Sequence, residues 1–199
     1  MDLFHLLKVI TAYRLTPFAK RIKEATKPLH DQIESHPFIE KLINGKMTDL
    51  EYAIYLSNLY PVYEKIERLL LNSSSTLARV KYIKNDLQNY TAFFNNDLSE
   101  YYINDPWVSS LETDDMFKLT AVFYTRWLGD LYGGQILAKN IRFNSSLKFK
   151  NVRQCIRIAR ELIEFYGSKD ENRFLVQVSH AYTENYNLAT NIQNQLQLS

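Results

Sequence analysis

One cysteine, Cys155, is all the thiol chemistry this chain has. That excludes an internal disulfide and any zinc or iron–sulfur centre built on several cysteines. Glycine and proline are scarce too, at 5 each in 199 residues. A fold of many short strands needs frequent turns, so this scarcity favours long helices. No charge of one sign dominates, since 24 Lys and Arg face 22 Asp and Glu. A formal charge of +2 supplies no global field for nucleic acid or an anionic membrane. Nowhere is there the run of about 18 apolar residues that a membrane-crossing helix requires. Residues 1–10 are briefly apolar but lack a basic start and a small-residue cleavage site. The cytoplasm is therefore the expected location.

What is present is 46% hydrophobic residues, with 14 Tyr and 11 Phe. A chain of this length and mixture is expected to form one domain with a bulky core, its phenols partly hydrogen-bonded. The periodicity is helical. Phe18, Ile22, Ala25, Leu29 and Ile33 fall at spacings of three or four and predict a one-faced helix. Pro28 inside it either opens a new helix capped by Thr26 or kinks a longer one. Residues 37–43 form a short helix stopped by Asn44-Gly45. Thr48 and Glu51 make a capping box, followed by an apolar face of Tyr52, Tyr55, Leu56, Leu59, Tyr63, Ile66 and Leu70 that Pro61 should bend. Further helices are expected over about 77–94, 113–141 (capped by Thr113 or Asp114), 149–166 and 172–196. The class is all-α, in a single domain over 1–199, with 1–17 as a more loosely attached segment.

The unusual stretch is Tyr124-Thr-Arg-Trp-Leu-Gly-Asp-Leu-Tyr-Gly-Gly-Gln-Ile-Leu-Ala-Lys-Asn140. Three glycines in a helix interior weaken it by about 1 kcal/mol each relative to alanine, so something should compensate. At about 100° per residue, Gly129 and Gly133 lie about 40° apart and leave a bare strip of backbone. A flat partner can approach such a strip, with the Asp130 carboxylate near its edge. A second helix crossing closely explains the spacing equally well. A membrane dimer does not, because Arg126, Asp130, Gln135 and Lys139 interrupt the run.

The string YTRWLGDLYGGQILAK resembles the distal helix of haem oxygenases, and IKEATKPLHDQIE resembles their proximal helix. The two stand in the family's order, about 100 residues apart, and AYTENYNL resembles the last core helix. The likeness covers most of the chain from about residue 18. It implies a helical fold with haem between the proximal and distal helices. It also implies oxidative cleavage of haem to biliverdin, carbon monoxide and ferrous iron, using dioxygen.

His30 then matches the proximal histidine, a normal axial ligand for haem iron; read alone, a histidine on a helix face is more often structural or solvated. Gly129, Gly133 and Gly134 match the distal glycines, and Asp130 matches the carboxylate that organises distal water. Lys23 and Lys27 match basic contacts to the haem propionates. Tyr124 and Arg126 match the family's Tyr-Thr-Arg, and Asn185 an asparagine of the distal network. Arg153, Arg157 and Arg160 form a basic row from which Arg157 is chosen as a further propionate contact; a solvated face is the plainer reading of such a row. Departures are Tyr132 where the family commonly has a small residue, Trp127 for a usual tyrosine, and Pro28 two residues before His30.

The likeness is to the soluble bacterial type, without a hydrophobic carboxy-terminal anchor, and a monomer is expected. With no nucleotide fingerprint in the chain, electrons are expected from a separate donor: a ferredoxin, a flavodoxin or an NAD(P)H-dependent reductase. A haem carrier or sensor on the same fold would share His30 and the glycines, and only turnover separates the two.

Overall fold

The computed structural model describes residues 16–71, 75–112 and 114–198; Thr113 and the segment 1–15 lie outside them. Among the described residues there is no strand. Helix α1 spans Pro17–Glu34, α2 Pro37–Ile43 and α3 Asp49–Leu69. After α4 (Val80–Phe94) come a short 3-10 turn and α5 (Pro106–Ser109). Helix α6 (Met116–Gly129) passes into a π-helical segment, Asp130–Gly134, and a short α7, Gln135–Leu137. A 3-10 turn at Ser145–Leu147 leads to α8 (Val152–Gly167) and α9 (Glu171–Leu198).

Helix α6 is buried nearly all round, through Leu119, Thr120, Ala121, Val122, Phe123 and Trp127. It packs against α8 and α9, while α1 lies on α9 and α4 on α3. These contacts make one continuous apolar core from Phe18 to Ile192. The amphipathic α1 buries Phe18, Ile22 and Thr26, a spacing of four that turns one stripe inward.

Local chemistry explains most boundaries and corrects several. The Thr48–Glu51 capping box forms in both directions. Helix α1 begins earlier than periodicity implies, with Thr16 as cap and Pro17 in the first turn. It runs unbroken through Pro28, and Thr26 is no cap: its hydroxyl donates to the Ile22 carbonyl at 2.8 Å. Helix α3 likewise continues through Pro61. The cap of α6 is Asp115, whose carboxylate accepts from Phe117 N at 3.0 Å and Lys118 N at 3.4 Å. The continuous helix expected over 113–141 is interrupted at Asp130 by the π segment and ends at Leu137. Paired glycines lower the resistance to that change of winding, and π turns recur at functional sites. Gly167 ends α8 against two rings, a Cβ there falling 2.7 Å from Phe18 Cζ and 2.9 Å from Phe174 Cδ1. No helix among the described residues is long and apolar enough to cross a membrane.

Candidate active site

A cavity of about 880 Å³ opens between α1 and the glycine segment. Ile22, Lys23, His30 and Ile33 line it from α1; Gly129, Asp130 and Gly133 line it from the end of α6 and the π segment. Helix α1 packs on α9, whereas the π segment packs on α8 and the 145–147 turn. The two walls therefore face each other across the cavity. That volume lies at the upper end of the range for small-molecule pockets.

The three glycines divide by what surrounds them. A Cβ added at Gly129 or Gly133 would meet no atom within 4 Å. At Gly134 it would come 3.2 Å from the Leu147 carbonyl oxygen and 3.5 Å from Leu147 Cδ2. So Gly129 and Gly133 leave space in the cavity, while Gly134 permits close packing behind it. Gly134, expected beside a bound ligand, is buried and does not line the cavity.

A buried polar network sits beside the bare strip. The Tyr63 hydroxyl donates to Asp130 Oδ2, and the Tyr63 ring lies 4.5 Å from that of Trp127. Trp127 is fully buried and donates its indole N–H to the Leu77 carbonyl at 2.8 Å, so it braces the helix from behind. Arg126 donates to Tyr55 Oη at 3.0 Å and to Asn185 Oδ1 at 3.3 Å. Asn185 in turn donates to Thr125 Oγ1 at 3.2 Å. Burial pushes the Asp130 carboxyl above its ordinary value, with Arg126, Tyr63 and Arg79 pulling the other way. Burial also raises the Tyr63 phenol well above its own. The result is a carboxyl at the cavity surface that holds a proton more readily than in water, hydrogen-bonded to a phenol that keeps its own.

His30 reaches the cavity from α1 and remains half exposed. Its Nδ1 lies 3.6 Å from Glu34 Oε2, and its ring meets Tyr182 edge-on at 6.3 Å between centroids. Tyr124 lines the cavity, with its hydroxyl 3.4 Å from Thr26 Oγ1, linking α6 to α1. Lys23, Arg126 and Asn185 also line it. Two expected contacts do not. Lys27 is engaged with Asp31 at 2.5 Å on the exposed face of α1, and Arg157 with Glu161 at 3.4 Å on the exposed face of α8. The arginine of the basic row that lines the cavity is Arg160, and it donates to Tyr132 Oη at 2.9 Å. Tyr132 thus faces the cavity and is tied across it to α8.

Tyr55 and Tyr63 were legible only as apolar-face residues. The available signal was chemical: tyrosines in an aliphatic stripe need partners for their hydroxyls, and those partners stand on α6 and beyond it, more than 60 residues away in sequence. Arg160 lies only about 60° from Arg157 around a helix, so the spacing of the row alone could not rank them.

A family model described as heme oxygenase matches residues 16–174. Among curated proteins, heme oxygenase of Pyropia yezoensis is 32% identical over 140 residues, covering 62% of this chain and 58% of that protein. Chicken (Gallus gallus) heme oxygenase 1 is 30% identical over 138 residues, covering 59% and 45%. The chain thus spans about half the length of these relatives. Heme oxygenase-1 of the cyanobacterium Synechocystis, solved in complex with heme, superposes with a TM-score of 0.74 at 20% identity, over 91% of this chain and 94% of that one. The heme oxygenase of Leptospira interrogans gives 0.69 at 21%, over 87% and 98%. At such identities the superpositions establish the fold.

Proposed function

This chain belongs to the heme oxygenase family, and from that premise we propose that its cavity binds haem and that the protein opens the ring to biliverdin, carbon monoxide and ferrous iron. The supporting observation is the pairing of His30 with a strip where Gly129 and Gly133 leave open space. The donor set fits the group: one imidazole for iron, bare backbone to admit a flat ring, and cationic side chains at Lys23 and Arg160 for carboxylates. Bound haem supplies both the iron that activates dioxygen and the carbon that is oxidised.

The chain's own residues do the rest. His30 would hold the iron through Nε2, since its Nδ1 is turned to Glu34. Gly129 and Gly133 leave open space along the opposite wall, where a flat ring and a small ligand would be admitted. Asp130, backed by Tyr63, holds and delivers protons at its Oδ atoms. Arg126, pinned between Tyr55 and Asn185, keeps that region charged and ordered for water. Lys23 positions a propionate; Gly134, Lys27 and Arg157 act elsewhere, in packing and on the surface. Electrons come from an external donor, a ferredoxin, a flavodoxin or an NAD(P)H-dependent reductase, and the working unit is a monomer.

The test is an absorbance titration with hemin, followed by ascorbate in air, for the wild type, His30→Ala and Asp130→Ala. A Soret band that decays to a bilin spectrum, with decay lost in Asp130→Ala, supports the enzyme. Stable binding without decay leaves a carrier. The absence of any Soret band sinks the haem reading altogether.

A further inference from the structure

The back of the glycine segment is seated on α8 and on the 145–147 turn, whose Leu147 carbonyl stands nearest Gly134. Gly134 comes close enough to Leu147 O that a Cβ would stand at 3.2 Å, and Gln135 Nε2 donates to the same oxygen at 3.1 Å. The turn that carries this carbonyl, Ser145–Leu147, is only three residues long and has no side-chain cap. Its position must come from outside.

Two buried charged side chains of α4 and its entrance supply it. The Asp86 carboxylate accepts from Ser145 N at 3.0 Å, Ser145 Oγ at 2.5 Å and Ser146 N at 2.7 Å. Arg79 Nη1 donates to the Ser146 carbonyl at 3.2 Å and the Lys148 carbonyl at 2.9 Å, the two that flank Leu147. The Arg79 guanidinium is itself held between Phe149 at 4.1 Å and Tyr82 at 4.5 Å. Its backbone N–H and that of Val80 are gripped by the Glu67 carboxylate of α3. Arg79 is 2% exposed and Asp86 1%. Charged groups this deeply buried are retained where their hydrogen bonds fix one arrangement against others.

We propose that Arg79 and Asp86 are positioning residues for the distal wall: by fixing the Leu147 carbonyl they set the seat of the Gly134–Gln135 stretch, and so the opening over Gly129 and Gly133 and the placement of Asp130 against Tyr63. Neither residue lines the cavity. Both act through the turn, and Arg79 also through its charge on Asp130. The functional consequence rests on the haem reading above; the structural one does not.

The experiment uses the full chain as wild type, Arg79→Met, Arg79→Lys, Asp86→Asn and Gly134→Ala, the last pressing on the same carbonyl from the other side. Amide hydrogen exchange by mass spectrometry is read first, without hemin. Faster exchange confined to residues 129–138 and 144–148, with α9 peptides unchanged, supports the proposal. Arg79→Lys, which keeps one donor group, should recover part of the protection. Hemin titration is read second. Arg79→Met and Gly134→Ala should each weaken binding by about tenfold and shift the pH-dependent absorption change of the ferric complex, and the double variant should lose less than the sum, because both disturb one contact. Wild-type exchange at 129–138 in Arg79→Met, or loss of protection spread evenly over the chain, overturns the proposal. Should Arg79→Met not fold, the milder Asp86→Asn and Gly134→Ala carry the same two outcomes. If the wild type binds no hemin, the haem reading fails alone and the exchange result still decides this one.

Discussion

Asp130 is held by burial above the ordinary carboxylate value, so its charged form weakens the fold as pH rises from the unfolded value through the folded one. Replacing it by asparagine removes that penalty and keeps an acceptor for Tyr63. Asp130→Asn should therefore melt at the wild-type temperature or above, with the difference growing as pH rises above the unfolded value of 3.8, while bilin formation is lost. Lower stability at every pH would contradict this account. His36 behaves in the opposite pH range. Its Nδ1 accepts from Phe38 N at 3.2 Å as the cap of α2, its Nε2 stands 3.1 Å from Thr190 Oγ1, and burial lowers its pKa. The neutral ring is the folded form. Its contribution is complete above the unfolded value of 6.5 and is lost as pH falls below it. His36→Asn keeps a capping acceptor and should flatten the decline in urea midpoint between pH 7.5 and pH 5.

Helix α6 and its π extension show that glycines within six residues of one another do different work. Gly133→Leu fills open space and replaces a poor helix former, so stability should hold or rise by up to about 1 kcal/mol. Hemin binding should nevertheless fall by two orders of magnitude or more, measured by the Soret titration. Binding that survives would place the ligand elsewhere. Gly167→Ala is the contrast at the end of α8, where a methyl meets Phe18 and Phe174, both buried. The expected loss is about 1–3 kcal/mol by overpacking, seen as a lower urea midpoint with an unchanged slope.

Across the whole molecule, the cavity is framed by α1, α3, α6, α8 and α9 together. A ligand that fits it ties these elements to one another and binds the folded state alone. Hemin at 100 times its dissociation constant should add about 2.7 kcal/mol, a rise of roughly 5–10 °C in the melting temperature for a chain of this size. His30→Ala should reduce the rise and Gly133→Leu abolish it. An equal rise in all three proteins would mean that hemin associates nonspecifically.

The class and the helices were determined by the sequence itself, because they rest on local chemistry. Apolar spacing, the Thr48–Glu51 box and the scarcity of turn residues act within a few residues of one another. The glycine cluster and the histidine took their proposed roles from the resemblance of two short strings, since spacing alone left them open. Tertiary structure alone decided the partners. That Asp130 answers to Tyr63, that Arg160 and not Arg157 faces the cavity, that Gly134 packs on Leu147 while Gly133 stays open, and that α6 changes its winding at Asp130 all depend on contacts between distant segments. Helical periodicity says which face is apolar; it does not say which neighbour that face will meet, and every hydrogen bond that shapes this cavity is a choice of neighbour.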